Sequence, residues 1–250
     1  MRRIVSLTGT DALTFLQGLV SNDVLKLAPG PGIVWTALLT PQGKYLADFF
    51  VANTRDALLL DLPEPLADAT LRRLAMYRLR ADVQMGATDL AVTRGLGPAP
   101  ADALPDPRHP ALGWRRYGAP GPEEATDWDA IRVEHLIPET GTELVPDDSY
   151  ILEMDFERLH GVDFRKGCYV GQEVTARMKH KTELKKRLTR LRITGDAPPG
   201  TAILAGGKEA GRLGTRSGPR ALAWMRLDRI APGMTAGTAR LDPDPDPTIS

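Results

Sequence analysis

The stretch Gly161-Val162-Asp163-Phe164-Arg165-Lys166-Gly167-Cys168-Tyr169-Val170-Gly171-Gln172-Glu173-Val174-Thr175-Ala176-Arg177 holds the only cysteine of the 250-residue chain. It sets Cys168 in a glycine-flanked loop, two residues after a lysine. Gly171 then precedes a helix that opens on Gln172 and Glu173 and carries Arg177 one turn further. A lysine, an arginine and the N–H groups of a helix start all favour the thiolate, the reactive form of cysteine. The competing reading is a small buried hydrophobe, the commonest fate of a free cysteine. A single cysteine excludes an internal disulfide, a multi-cysteine zinc site and a four-cysteine iron–sulfur cluster within one chain. His109, His135, His160 and His180 show no i,i+4 pair of the kind zinc enzymes use.

Upstream, strands and helices alternate. Ile4–Leu7 reads as a strand, and Thr10 as the N-cap of an amphipathic helix from Asp11 to about Val20. Residues 33–39 and 45–52 are β-prone runs separated by the turn Thr40-Pro41-Gln42-Gly43. A strand over 57–62 is followed by a helix from Pro63 to about Leu79, then by strands near 81–85 and 88–93. This order suggests an α+β layer with a mainly antiparallel sheet. Residues 95–125 hold seven prolines and five glycines, the composition of a linker, with a strand over 112–117 inside it. Helices are expected over 126–136 and 153–160. From about Lys185 glycine-punctuated short strands predict a small barrel or sandwich. Three Asp-Pro pairs over 242–247 predict a mobile tail that packs no core. The domain division is therefore 1–184 (subdomains 1–95 and 96–184), a barrel over 185–241 and a tail over 242–250.

Hydrophobic residues make up 42% of the chain and charged residues 26%, enough apolar material for a sizeable core. The apolar stretch after Arg2-Arg3 stops at Leu7, too short for a signal peptide, and no run reaches the roughly 18 residues of a membrane-spanning helix. A soluble, cytoplasmic protein is expected. Lys+Arg and Asp+Glu number 32 each, so no global charge points to DNA or a membrane. The balance is uneven locally: residues 121–157 hold twelve acids and one base, residues 177–192 eight bases and one acid. These are two solvated faces, or the basic one docks an acidic partner. Binding of tRNA is the weakest reading, because that stretch has no aromatic residue on which bases stack. The glycine loops of nucleotide sites and the G-x-S-x-G elbow of serine hydrolases are absent.

Lys166-Gly167-Cys168-Tyr169-Val170-Gly171-Gln172-Glu173 with Arg177 resembles the signature of the YgfZ family. These are folate-binding proteins implicated in iron–sulfur cluster assembly or repair and related to the aminomethyltransferase (T-protein) of the glycine cleavage system. Gly9-Thr10-Asp11-Ala12, Phe15-Leu16-Gln17-Gly18, Asn22-Asp23-Val24, Pro41-Gln42-Gly43-Lys44, Asp48-Phe49 and Asp106-Pro107-Arg108 with Leu112-Gly113 and Arg115 fit the same family in the same order. The resemblance implies an α+β, T-protein-like fold: two interleaved subdomains with mainly antiparallel sheets and a C-terminal β-barrel, around a central channel for tetrahydrofolate or a related folate.

The resemblance also implies site residues. Arg132-Val133-Glu134 is similar to the segment in which T-proteins hold the pterin with a glutamate, which gives Glu134 that role. Asp48 matches a position where T-proteins carry paired aspartates; here the pair reads Ala47-Asp48, which puts aminomethyl transfer in doubt. Cys168 is the hallmark that T-proteins lack. It is expected as a thiolate near the folate channel, binding iron or sulfur transiently or exchanging electrons, with Lys166 and Arg177 stabilising the anion. Gln172 and Glu173 are expected to brace the loop beside the folate. The implied function is a folate-binding accessory factor for iron–sulfur cluster assembly, insertion or repair. The alternative is a folate-dependent aminomethyltransferase. The partners expected are folate and, transiently, iron–sulfur proteins or assembly factors, with neither DNA nor a membrane, and the family leans towards a monomer.

Overall fold

In the computed structural model, which describes residues 1–121, 125–181 and 183–244, the N-terminal region is built on a five-stranded antiparallel sheet. Its strands are β1 (Arg2–Thr8), β2 (Gly32–Leu39), β3 (Tyr45–Asn53), β4 (Leu58–Pro63) and β5 (Gln84–Ala87), in the order β2-β3-β4-β1-β5. Strand periodicity of two divides β2 and β3 between two faces. Val34, Leu38, Phe49 and Val51 pack under helices α1 (Ala12–Gln17) and α2 (Glu64–Arg78). Trp35, Ala37 and Phe50 turn the other way, into a core built with residues 133–162. Asp48 alternates with Phe49 and so lies on the Phe50 side.

The proline-rich stretch is ordered. Strands β6 (Ala91–Gly95), β7 (Leu104–Pro105) and β8 (Trp114–Gly118) form a small sheet in the order β6-β8-β7. Val92, Leu104 and Tyr117 pack on Ile4, Ala52 and Leu59 of the large sheet. Helix α3 (Trp128–His135) starts where expected, capped by Asp127, whose carboxylate accepts from the Ala130 N–H at 2.9 Å. Helix α4 (Gln172–Lys181) comes directly after the cysteine loop. Strands β9 (Lys186–Thr194), β10 (Ala202–Ala205), β11 (Lys208–Ser217), β12 (Arg220–Arg226), β13 (Met234–Ala236) and β14 (Ala239–Pro243) close a barrel in the order β10-β11-β12-β9-β14-β13.

Three local expectations are corrected. Residues 151–160 form consecutive turns, not a helix, because Asp155 and His160 adopt left-handed backbone (φ 60° and 56°) and interrupt any helical run. Thr10 does not cap α1: its N–H and hydroxyl both bond the Asp82 carboxylate, tying the helix start to the loop after α2. The tail does not begin at Asp242. Asp242 and Pro243 belong to β14, and Asp244 is buried against Arg190 at 3.0 Å, Arg192 at 3.1 Å and Arg220 at 2.9 Å. The remaining tail, 245–250, lies outside the described residues.

Candidate functional site

A cavity of about 700 Å³ lies between the large sheet, the small sheet and the segment 139–146. Asp48, Phe50, Leu66, Val92, Arg94, Arg108, Arg115, Glu139 and Thr140 are among its walls. Asp48 is 4% exposed and fixed by three donors: the Trp35 indole N–H at 2.8 Å, the Tyr45 hydroxyl at 2.7 Å and the Thr140 hydroxyl. Burial first, then the Asp48 charge, pushes the Tyr45 phenol well above its ordinary range, so it stays a donor to that carboxylate.

The cationic wall is held by ion pairs. Arg115 bonds Asp61 at 2.8 Å and Asp106 at 3.2 Å, Arg108 bonds Asp106 at 2.8 Å, and Arg2 bonds Asp61 at 2.6 Å. Phe50 lies under the guanidinium groups of Arg115 and Arg108, 3.9 and 4.9 Å from its ring centre. Burial alone raises the Asp106 carboxyl, but Arg108 and Arg115 outweigh it and hold the group at about 2. Among the described residues, the Arg115 Nε–H is a buried donor with no acceptor. Arg94 crosses the Trp128 ring at 4.3 Å from a neighbouring wall. The cavity thus joins an acceptor end, Asp48 and Glu139, to an aromatic floor and a cationic end. Those are the three requirements of a pterin, an aromatic linker and an anionic tail.

Of the residues expected here from sequence, Asp48 lines the cavity and the others do not. Glu134 is exposed on α3 and ties that helix to the barrel through Arg220 at 2.6 Å and Arg190 at 3.2 Å, so it does not line this cavity. The carboxylate that this segment brings to the cavity wall is Glu139, five residues on. Periodicity does not single it out, because the chain leaves α3 at Leu136 in left-handed conformation (φ 50°) and the residues beyond are re-aimed. Arg108 and Arg115 belong to the mid-chain match, and the Asp-Pro-Arg run is the signal for a buried pair.

The cysteine loop lies elsewhere. Cys168 is exposed, and its neighbours are anchors. Lys166 is buried and spends its three N–H donors on the main-chain carbonyls of Gln17, Val20 and Asn22, at 2.7, 2.5 and 3.0 Å. Burial pushes its ammonium down to about 8, against the pull of Asp23 and Asp163. On the other side Tyr169 is buried, its ring 5.0 Å below the Lys166 ammonium. Gly171, at φ 85°, packs on the Thr40–Gly43 turn, where a Cβ would stand 2.6 Å from the Thr40 oxygen. The loop therefore presents Gly167 and Cys168 to solvent from a pinned base. Lys166 is thus a structural cation rather than a partner of the thiolate. Arg177 is paired with Glu173 at 2.8 Å across one turn of α4, and neither it, Gln172 nor Glu173 reaches the cavity.

Comparison with known proteins agrees with this architecture. Residues 185–248 match the family model "CAF17, C-terminal beta-barrel domain". The chain is 32% identical, over 79% of its length, to the "Iron-sulfur cluster assembly factor IBA57 homolog, mitochondrial" of Mycosarcoma maydis, of which it covers 57%. A Pyricularia oryzae protein of the same name is 29% identical, with 54% of its length covered, so the chain spans little more than half of these fungal relatives. Against "Iron-sulfur cluster assembly factor IBA57, mitochondrial" of Homo sapiens the identity is 27%, over the whole chain and 84% of the human protein. The crystal structure of glycine cleavage system aminomethyltransferase T from Bartonella henselae superposes with a TM-score of 0.74 at 12% identity, covering 96% of this chain and 81% of that one. These relatives are named as mitochondrial, which overturns the cytoplasmic expectation. They also carry the IBA57 name rather than YgfZ. The chain is thus similar in sequence to the IBA57 proteins, folded like aminomethyltransferase T, with a C-terminal barrel that matches the CAF17 model.

Proposed function

We propose that the chain is a folate-binding accessory factor for iron–sulfur cluster assembly, in which the cavity holds the folate and the Cys168 tip meets the client. The observation that carries this reading is the pinned, exposed Cys168: its sulfur is offered outward on a loop whose flanking residues are both anchored. Such a tip suits a ligand shared with a second protein, the thiol giving up its proton as the sulfur binds an iron of a cluster held mainly by the partner. The names of the relatives support the client class. In the cavity, Glu139 and Asp48 would accept from the pterin edge, Phe50 would wall the ring, and Arg94 and Arg108 would face the anionic tail.

Two experiments separate the parts. Tetrahydrofolate titrated into the protein is expected to quench tryptophan fluorescence saturably in the micromolar range, about −8 kcal/mol, since Trp35 bonds Asp48 and Trp128 lies under Arg94. Glu139→Ala is expected to weaken binding at least about tenfold, while Glu134→Ala leaves it unchanged; the reverse pattern sinks the assignment. Cys168→Ser is expected to fold normally and yet fail to support iron–sulfur enzymes in cells lacking the protein. Full support by that variant overturns the cluster role. Methylenetetrahydrofolate made at enzymatic rates from an aminomethyl-loaded lipoyl carrier would establish the transferase instead. Asp48 stands beside Ala47 without a paired aspartate, which weighs against that reaction.

A further inference from the structure

The C-terminal end of α2 carries a surface that neither the cavity nor the cysteine loop uses. Ala67, Thr70 and Leu74 face inward, but from Ala75 to Arg80 six consecutive residues are exposed. A helix lying along a protein surface buries one residue in every three or four, so this run is a protrusion. Met76 is 73% and Leu79 90% exposed, with Tyr77 at 37% beside them. Leu79 leaves the helix at φ 42°, a left-handed conformation that strains a leucine, and the next turn closes from the Ala81 N–H to the Arg78 carbonyl at 2.7 Å.

Arg72, Arg73, Arg78 and Arg80 all lie within four residues of Met76 along the chain. Among the described residues none of the four forms an ion pair, whereas Arg2, Arg108, Arg115, Arg132 and Arg190 are each matched by a carboxylate. Nearby acids bond other partners: Asp68, whose charge Arg72 also feels, pairs with Arg3, Asp82 with Thr10 and Gln84, and Asp11 with the Asp82 main chain, while Arg78 reaches the Val83 carbonyl at 3.5 Å. The even global charge balance conceals this cluster.

A protein partner would need a socket shaped to receive Met76 and Leu79, whereas a lipid surface closes around a protruding tip without one. Apolar side chains at the acyl boundary, tyrosine at the headgroup level and arginines on phosphate are the combination that interfacial segments use. We propose that this tip docks the protein peripherally on an anionic phospholipid surface. Met76 and Leu79 enter the acyl boundary, and Arg72, Arg73, Arg78 and Arg80 meet the phosphates. No helix among the described residues is long and apolar enough to cross a membrane, so the contact is a surface one. The inference is independent of the cluster and folate readings.

The test is co-sedimentation of the full chain with phosphatidylcholine vesicles, with and without about one third phosphatidylglycerol. Binding is expected only to the anionic vesicles, weakening with salt and by about fivefold for each arginine changed to glutamine. The double variant Met76→Ser/Leu79→Ser, at unchanged charge, is expected to weaken it by about tenfold or more, with the thermal midpoint showing that the fold is intact. Absent binding at low salt, or equal binding to neutral vesicles, overturns the proposal. Binding indifferent to the serine pair also overturns it, and assigns the arginines to an acidic protein or a nucleic acid.

Discussion

Lys166, Cys168 and Tyr169 show how one short loop divides its labour. The lysine and the tyrosine point inward, and the cysteine between them points out. In sequence, a lysine two residues from a cysteine suggests a thiolate partner. In the fold that ammonium is consumed by three carbonyls at the end of α1, where main-chain acceptors have no helical donors left. The loop owes its shape as much to Gly171. Its φ is 85°, and a methyl group there would stand 2.6 Å from the Thr40 oxygen, which leaves no room for a side chain. Gly171→Ala is therefore expected to lower unfolding free energy by about 2 kcal/mol or more, from left-handed strain and displacement of the Thr40–Gly43 turn. Denaturant unfolding measures it, and a change below about 0.5 kcal/mol would mean that the turn yields easily.

At the scale of elements, strand β14 is the instructive case, because its end reads as a tail and behaves as a latch. Asp244 is buried and receives Arg190, Arg192 and Arg220, so the end of the barrel closes on a carboxylate beyond the last strand residue. Arg190 is itself only 2% exposed on its side chain, and its main remaining partners belong to Glu134. Asp244→Ala is expected to cost about 3 kcal/mol, because it removes the buried carboxylate shared by three arginines and leaves the Arg190 guanidinium only Glu134; Asp244→Asn should recover part of that. Thermal and denaturant melts of both variants check the order. The same elements show what was legible. The β-prone runs that form β2 and β3, the turn between them and the helix that follows Pro63 are local, and the sequence displays them. Asp244 gains its meaning from arginines some fifty residues earlier in the chain, and a run of Asp-Pro pairs carries no trace of that. Glu139 rather than Glu134 comes to the cavity wall for a similar reason: a positive φ at Leu136 redirects the chain, and no periodicity announces it.

Across the whole molecule, the buried ion network joins the two sheets that wall the cavity. Asp61 on β4 meets Arg2 on β1 and Arg115 on β8, and Asp106 meets Arg115 and Arg108. Burial opposes ionisation of both acids, and the arginines overcome it: Asp61 is lowered, and Asp106 falls from the ordinary 3.8 to about 2. Because the folded values are depressed, this stabilisation is present in full above about pH 4 and is lost as pH falls through about 2. For Asp106 alone it amounts to about 2 kcal/mol. Chemical denaturation midpoints are therefore expected to hold steady from pH 7 to about 5 and to drop steeply between about 4 and 2. Asp106→Asn should be less stable at neutral pH and show a shallower acid drop, the gap to the unaltered protein narrowing as the acid titrates. Since these side chains are the cavity wall, the proposed folate binding should decline through the same acid window as the arginines lose their counter-charges and the sheets separate. A stability profile flat down to about pH 2 would show that the pairs contribute no net stability. The fixed position of Arg108 and Arg115 would then have to come from their packing on Phe50 alone.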